Sequence, residues 1–167
     1  MSQSLPEMLL LGRRNRRADR QPEQRPRKTR RANAVALAGV PLFTGLSKRH
    51  LNHLADAADE VAFIPGESIV RQGDLGETLF VMLEGQAKVM RGGRSVAKLL
   101  PGQFFGELSA IDGGPRTASV VADTPVKALR VFRRTLADLL RAEPNVTVRM
   151  LEGMARRIRE IDVPLNG

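Results

Sequence analysis

The spacing of apolar and polar positions changes character three times along the chain. Residues 1–31 show no sustained apolar period, and only a short stretch at Leu5–Leu11 suggests a brief helix. From Ala34 to Phe43 the chain is apolar, which predicts a short helix ending before Pro41. Ser47 then has the side chain and position of an N-cap for a helix over residues 48–58. Leu51, Leu54, Ala55 and Ala58 fall on one face of that helix.

Between residues 59 and 132 the pattern becomes one of short aliphatic and β-branched segments punctuated by glycine. Val61–Ile64 ends at Pro65-Gly66, and Ser68–Arg71 ends at Gln72-Gly73-Asp74. Leu79–Leu83 meets Glu84-Gly85 and is followed by Ala87–Met90. Gly92-Gly93 predicts a hairpin turn into Val96–Leu100, which stops at Pro101-Gly102. Thr117–Ala122 and Val126–Phe132 complete the set. Strands of this length with turns at this spacing indicate an antiparallel jelly roll or barrel.

The remainder is helical. A segment from Arg134-Thr135 to Ala142 carries Leu136, Leu139 and Leu140, and Pro144 interrupts it. Asn145 is the predicted cap of a final helix of about seventeen residues. Its expected inner face is Val148, Leu151, Met154, Ala155, Ile158 and Ile161. The fold class is therefore mainly β with flanking helices, a β-roll followed by C-terminal helices.

Charge divides the chain in two. Residues 1–31 hold ten basic and three acidic residues, whereas residues 32–167 hold seventeen and fifteen. Most of the net charge of +9 thus belongs to an N-terminal arm, 1–31, in which self-repulsion and the lack of apolar period predict disorder. Residues 32–167 form the folded domain. Arg13–Arg31 is suited to non-specific contact with nucleic acid or an anionic surface through its charge. It carries no aromatic side chain for stacking on bases.

Composition removes whole classes of chemistry. There is no Cys, which excludes disulfides, thiolate metal sites and a cysteine nucleophile. The two histidines, His50 and His53, share a helix with no third ligand nearby, so they read as solvated and no metal is expected. No apolar run approaches the roughly 20 residues that span a bilayer. The apolar Leu9–Leu11 precedes the arginines, the reverse of a secretory signal. A cytoplasmic, bacterial protein is expected, the second from an excess of Arg over Lys of 22 to 5. No Ser-His-Asp set forms around the glycine-rich region and no His follows residue 53, so the chain is not expected to be an enzyme or to need a cofactor.

One stretch departs from the strand pattern: Phe104-Phe105-Gly106-Glu107-Leu108-Ser109-Ala110-Ile111, then Asp112-Gly113-Gly114-Pro115-Arg116-Thr117-Ala118-Ser119-Val120. A glycine opens a turn-length helix whose first N–H groups lack partners within the helix. An arginine starts the next strand and offers a planar donor suited to phosphate. Glu107 suits a neutral hydroxyl, and a sugar phosphate supplies both groups. In isolation, Glu107 and Arg116 also fit a surface ion pair.

These residues resemble the phosphate-binding cassette of the cyclic-nucleotide-binding domain, the module of Crp/Fnr regulators, cyclic-nucleotide-dependent kinases and gated channels. The resemblance covers about residues 40–162. It is supported by Pro65-Gly66-Glu67, Gln72-Gly73-Asp74, Glu84-Gly85, Pro101-Gly102 and Met154-Ala155-Arg156-Arg157-Ile158. It implies that Glu107 accepts the ribose 2′-hydroxyl and that backbone groups of Gly106, Leu108 and Ser109 face the sugar phosphate. It implies that Arg116 pairs with the cyclic phosphate and that Thr117 touches the phosphate or purine through its hydroxyl and N–H, with Ala118 beside it in the ligand site. The final helix would close over the base, with Arg157, Ile161 and Asp162 as candidate contacts. In the family's kinases a Thr at the position of Thr117 goes with cGMP, whereas bacterial members with Ser or Thr there often prefer cAMP, so the ligand the resemblance implies is cAMP in preference to cGMP.

Only six residues follow Ile161, so no helix-turn-helix is expected. The expected function is a standalone sensor whose C-terminal helices move on ligand binding to control an effector protein. One alternative is a Crp/Fnr-like regulator relative without its DNA-binding domain, whose basic arm contacts nucleic acid. Another is an interaction domain that binds no ligand. A monomer or weak dimer is expected, because the apolar side of the final helix is assigned to the domain's own core.

Overall fold

The computed structural model describes residues 27–161. The predicted arm and the Leu5–Leu11 helix lie outside the described residues up to residue 26, as does Asp162 at the other end. The first described element is helix α1, Arg27–Ala38, which begins five residues before the predicted boundary at Ala32. It also replaces the helix expected over Ala34–Phe43. Gly39 and Val40 break the chain, and Pro41–Phe43 forms a separate 3-10 turn, since proline fits the first position of a helical turn but not its interior. Helix α2, Lys48–Ala57, starts at the Ser47 cap, whose hydroxyl accepts from the His50 N–H at 3.2 Å.

Eight strands follow: β1 Asp59–Phe63, β2 Ser68–Val70, β3 Thr78–Glu84, β4 Ala87–Arg91, β5 Arg94–Leu99, β6 Phe104–Phe105, β7 Ser119–Ala122 and β8 Val126–Phe132. They form two four-stranded antiparallel sheets, ordered β1-β8-β3-β6 and β2-β7-β4-β5. This is the expected β-roll. The two-residue β6 lies outside the predicted strands, because Phe104-Phe105 is too short to show a period. Helix α3, Glu107–Asp112, lies between β6 and β7. The chain then closes with α4, Arg133–Ala142, and α5, Pro144–Ile161.

The strand sequences follow from where each face points. β3 and β8 are central in their sheet and run almost continuously apolar because both of their faces are covered. Leu79, Val81, Leu129 and Val131 pack against the helices. Phe80, Met82, Val126 and Ala128 fill the interior between the sheets. There Phe80 stacks on Phe105 with ring centroids 5.1 Å apart. β5 is an exposed edge strand, and Arg94 and Lys98 discourage further strand pairing along it. At the far end of the first sheet, Asp59 and Arg130 lie opposite each other and form a buried ion pair at 2.6 Å.

The inner face of α5 differs from the expected one. Val146, Met150 and Gly153 are buried, whereas Val148, Leu151, Ala155 and Ile158 are exposed and Met154 is half-buried. The side chain of Ile161 is not among those described. The helix carries two apolar stripes, and periodicity cannot say which of them meets the core. The stripe of Val148, Leu151 and Ile158 is therefore not taken up by the domain's own core, so its burial gives no ground for expecting a monomer or weak dimer. Pro144 is the first residue of α5 rather than the residue before its cap, so Asn145 lies within the first turn. The α4–α5 break falls at Glu143, which has a non-helical φ of −129°.

Candidate functional site

The cassette begins where β6 pairs with β3, Phe105 lying opposite Phe80. Gly106 follows with φ +82°, a left-handed conformation that caps α3. It needs to be glycine on a second ground. A Cβ there would lie 2.7 Å from the Thr78 carbonyl oxygen and 2.7 Å from Arg116 Nη1. α3 then places Glu107, Ser109 and Ala110 inward and leaves Leu108 and Ile111 exposed. Its C-terminal glycine, Gly113, is also left-handed, and the loop returns to Arg116 beside β3.

Arg116 is only 7% exposed. Its backbone N–H donates to the Asp74 carbonyl at 2.8 Å, and its own carbonyl accepts from the Gly73 N–H at 2.8 Å. Its Nη1 donates to the carbonyl oxygens of Thr78 at 2.8 Å and Gly106 at 3.2 Å. Its Nη2 donates to Thr78 Oγ1 at 2.9 Å. A guanidinium held this deep by fixed acceptors forms a positive floor, suited to an anion that enters from the cavity.

Glu107 is 6% exposed and meets Arg157, whose Nη1 donates to Oε1 at 2.5 Å. Arg157 also donates to the Phe104 carbonyl and lies over the Phe104 ring, 4.8 Å from its centroid. One turn back along α5, Gly153 lies flat against the same ring: a Cβ there would come within 3.2 Å of it. These contacts join α5 to β6 and α3. Glu107 and Arg116 are therefore not a surface ion pair, since both are buried and the partner of Glu107 comes from α5.

A cavity of about 560 Å³ opens between α3, the β4–β5 hairpin and α5. Gly106, Glu107, Leu108, Ser109, Arg116, Thr117, Ala118 and Arg157 all line it, so the structure gathers every described ligand candidate at one place except Ile161, whose side chain is not described. Further lining residues were not singled out as contacts by the sequence. Val89 and Val96 come from the hairpin, and Met154, Ile158 and Glu160 from α5. Met154 and Glu160 could have been found by counting, since they lie at −3 and +3 from Arg157 on its side of the helix, and Ile158 lies one turn beyond Met154. Thr78 was also missed, as it appears in the sequence only as the polar start of an apolar run.

A second groove of about 770 Å³ lies between α2 and α4 and is lined by Arg49, His50, His53 and Asp138. His53 is exposed, as expected, but His50 is half-buried and meets Glu143 at 2.5 Å. The charged residues that line the groove, Arg49, Asp56 and Asp138, are all exposed. Among the described residues, no group of His, Asp and Glu is placed to hold a metal, and no helix is long and apolar enough to cross a membrane.

Comparison with known proteins agrees with this geometry. A family model described as the cyclic nucleotide-binding domain matches residues 60–143. The cyclic AMP receptor protein of Thermus thermophilus is 36% identical over 135 residues, covering 78% of this chain and 62% of its own. A cAMP-dependent protein kinase regulatory subunit of Hypocrea atroviridis is 31% identical over 127 residues, covering 76% of this chain and 26% of its own. The chain thus matches less than two thirds of either relative. Among solved structures, the regulatory domain of Toxoplasma gondii PKA with cAMP superposes with a TM-score of 0.68 at 28% identity, covering 77% of this chain and 51% of that one.

Proposed function

The chain belongs to the cyclic nucleotide-binding domain family, and we propose that it is a cytoplasmic cAMP-binding regulatory module whose α5 reports occupancy of the cavity to an effector protein. The observation that carries this reading is the pairing of one buried cation and one buried carboxylate on the wall of a single cavity. A 3′,5′-cyclic nucleotide has the matching groups: a phosphate with one negative charge and, a few ångströms away, a ribose hydroxyl that can donate. Arg116 takes the phosphate and Glu107 accepts from the 2′-hydroxyl. The base then lies against Val89, Met154 and Ile158, which offer an apolar surface.

Coupling to α5 follows from Glu107. Its carboxylate already accepts from Arg157, and a ribose hydroxyl would be a second donor at the same group. Ligand and α5 thus share one anchor, and the filled cavity buries more of α5 than the empty one. The α4–α5 break at Glu143 separates the two helices, and the turns of α5 beyond Gly153 carry no fully buried residue, so that end is the part that responds. The preference for cAMP over cGMP is part of the same proposal, supported by the cAMP-linked relatives above. No catalytic step is assigned to the site.

Calorimetric titration of the protein with cAMP and with cGMP tests this reading. Saturable binding is expected with both, tighter for cAMP. No heat from either nucleotide at millimolar concentration would overturn it.

A further inference from the structure

We infer that Thr78 is a positioning residue for Arg116, setting the depth and plane at which the guanidinium faces the cavity. The inference rests on the cyclic-nucleotide reading for its functional consequence, but its geometry stands alone. Thr78 is the first residue of β3, 7% exposed, and supplies two of the three hydrogen-bond acceptors described for the Arg116 guanidinium. One is its carbonyl, which any residue would provide. The other is its hydroxyl, which belongs to the side chain.

The segment before Thr78 completes the holder. Gly73 and Asp74 fix the Arg116 backbone through two hydrogen bonds. Gly76 lies flat against the side chain: a Cβ there would be 2.2 Å from Arg116 Nε and 2.3 Å from Cζ. Gly73–Thr78 therefore grips Arg116 at its backbone, along its side chain and at its tip. Thr78 is anchored in turn, because it opens the central strand opposite Phe132 of β8. The start of β3 and the loop before it, together with the Gly106 carbonyl, thus fix the arginine in place.

An arginine with a free choice of rotamer would lose conformational freedom when it meets a phosphate. One already locked in place loses less, so the hydroxyl of Thr78 raises affinity without touching the ligand. Thr78→Val keeps the shape and the β preference but removes the acceptor. Thr78→Ser keeps the acceptor.

Wild type, Thr78→Val and Thr78→Ser are titrated with cAMP, each also in an Arg116→Ala background. Thr78→Val is expected to weaken binding by about tenfold, as for loss of one hydrogen bond to a charged group. Thr78→Ser should remain within about threefold, and Thr78→Val should cost nothing further once Arg116 is alanine. A second measurement uses no nucleotide. The Arg116 side-chain N–H signals should exchange slowly with solvent in the wild type and in Thr78→Ser, and rapidly in Thr78→Val. Unchanged affinity in Thr78→Val, failure of serine to rescue, or a full loss persisting without Arg116 would each overturn the role, as would equal N–H exchange in all three proteins. Wild type that binds neither cAMP nor cGMP, with the exchange pattern as expected, would overturn the function proposed above and leave the positioning role standing.

Discussion

Of the three arginines that line the cavity, Arg116 and Arg157 are held in opposite ways. Arg116 is 7% exposed and gripped at its backbone and its tip by Gly73–Thr78 and Gly106. Arg157 extends from the outer part of α5, beyond the last buried residue at Gly153, with its side chain 35% exposed. It holds α5 to the cassette through Glu107, the Phe104 carbonyl and the Phe104 ring. The first belongs to a floor built into the sheet and the second to a wall attached by a few contacts. Such a division suits a sensor. The floor must recognise without moving, whereas the wall must be able to leave, which requires that little free energy hold it.

The largest expected difference comes from the floor. Arg116→Ala should weaken cAMP binding by roughly 10- to 150-fold, the equivalent of about 1.5–3 kcal/mol for a charge-assisted hydrogen bond. Calorimetry checks this, and a loss below threefold would mean that the phosphate is held elsewhere. Glu107 sharpens the comparison because it belongs to both regions. Glu107→Ala should weaken cAMP by about tenfold, yet affect 2′-deoxy-cAMP much less, since the missing partner is that hydroxyl. Equal losses for the two nucleotides would remove Glu107 from ribose recognition.

The wall should give the smallest change in affinity and the largest change in dynamics. The Arg157–Glu107 pair is partly solvated at the arginine, so Arg157→Ala should weaken cAMP by only about threefold. Amide hydrogen exchange across the outer turns of α5 should speed up in that variant without ligand, while exchange in β3 and β8 stays unchanged. In the wild type, cAMP should slow exchange across Pro144–Ile161. Exchange there that responds neither to ligand nor to Arg157→Ala would mean that α5 is as fixed as the floor, and the comparison would collapse.

Much of this molecule could be read along the chain. The strands came close to their positions because alternation and glycine turns are local signals; Val126–Phe132 was predicted with its observed limits. The cassette was legible for a similar reason, as Gly106, Glu107 and Arg116 lie within eleven residues of one another. The Ser47 cap was legible because a capping side chain bonds a backbone group three residues on. The sequence by itself determined those features, whose causes lie within about one turn or one hairpin. The tertiary structure decided what depended on distant partners. It chose Val146, Met150 and Gly153 over a second apolar stripe of α5, because both stripes satisfy helical periodicity and only packing against α4 and the Pro41–Phe43 turn selects one. It gave Glu107 a partner fifty residues away and Arg116 a partner thirty-eight residues away. Neither pairing leaves a trace in spacing, because closing a roll brings strands and helices together by strand order and register, which no local pattern records.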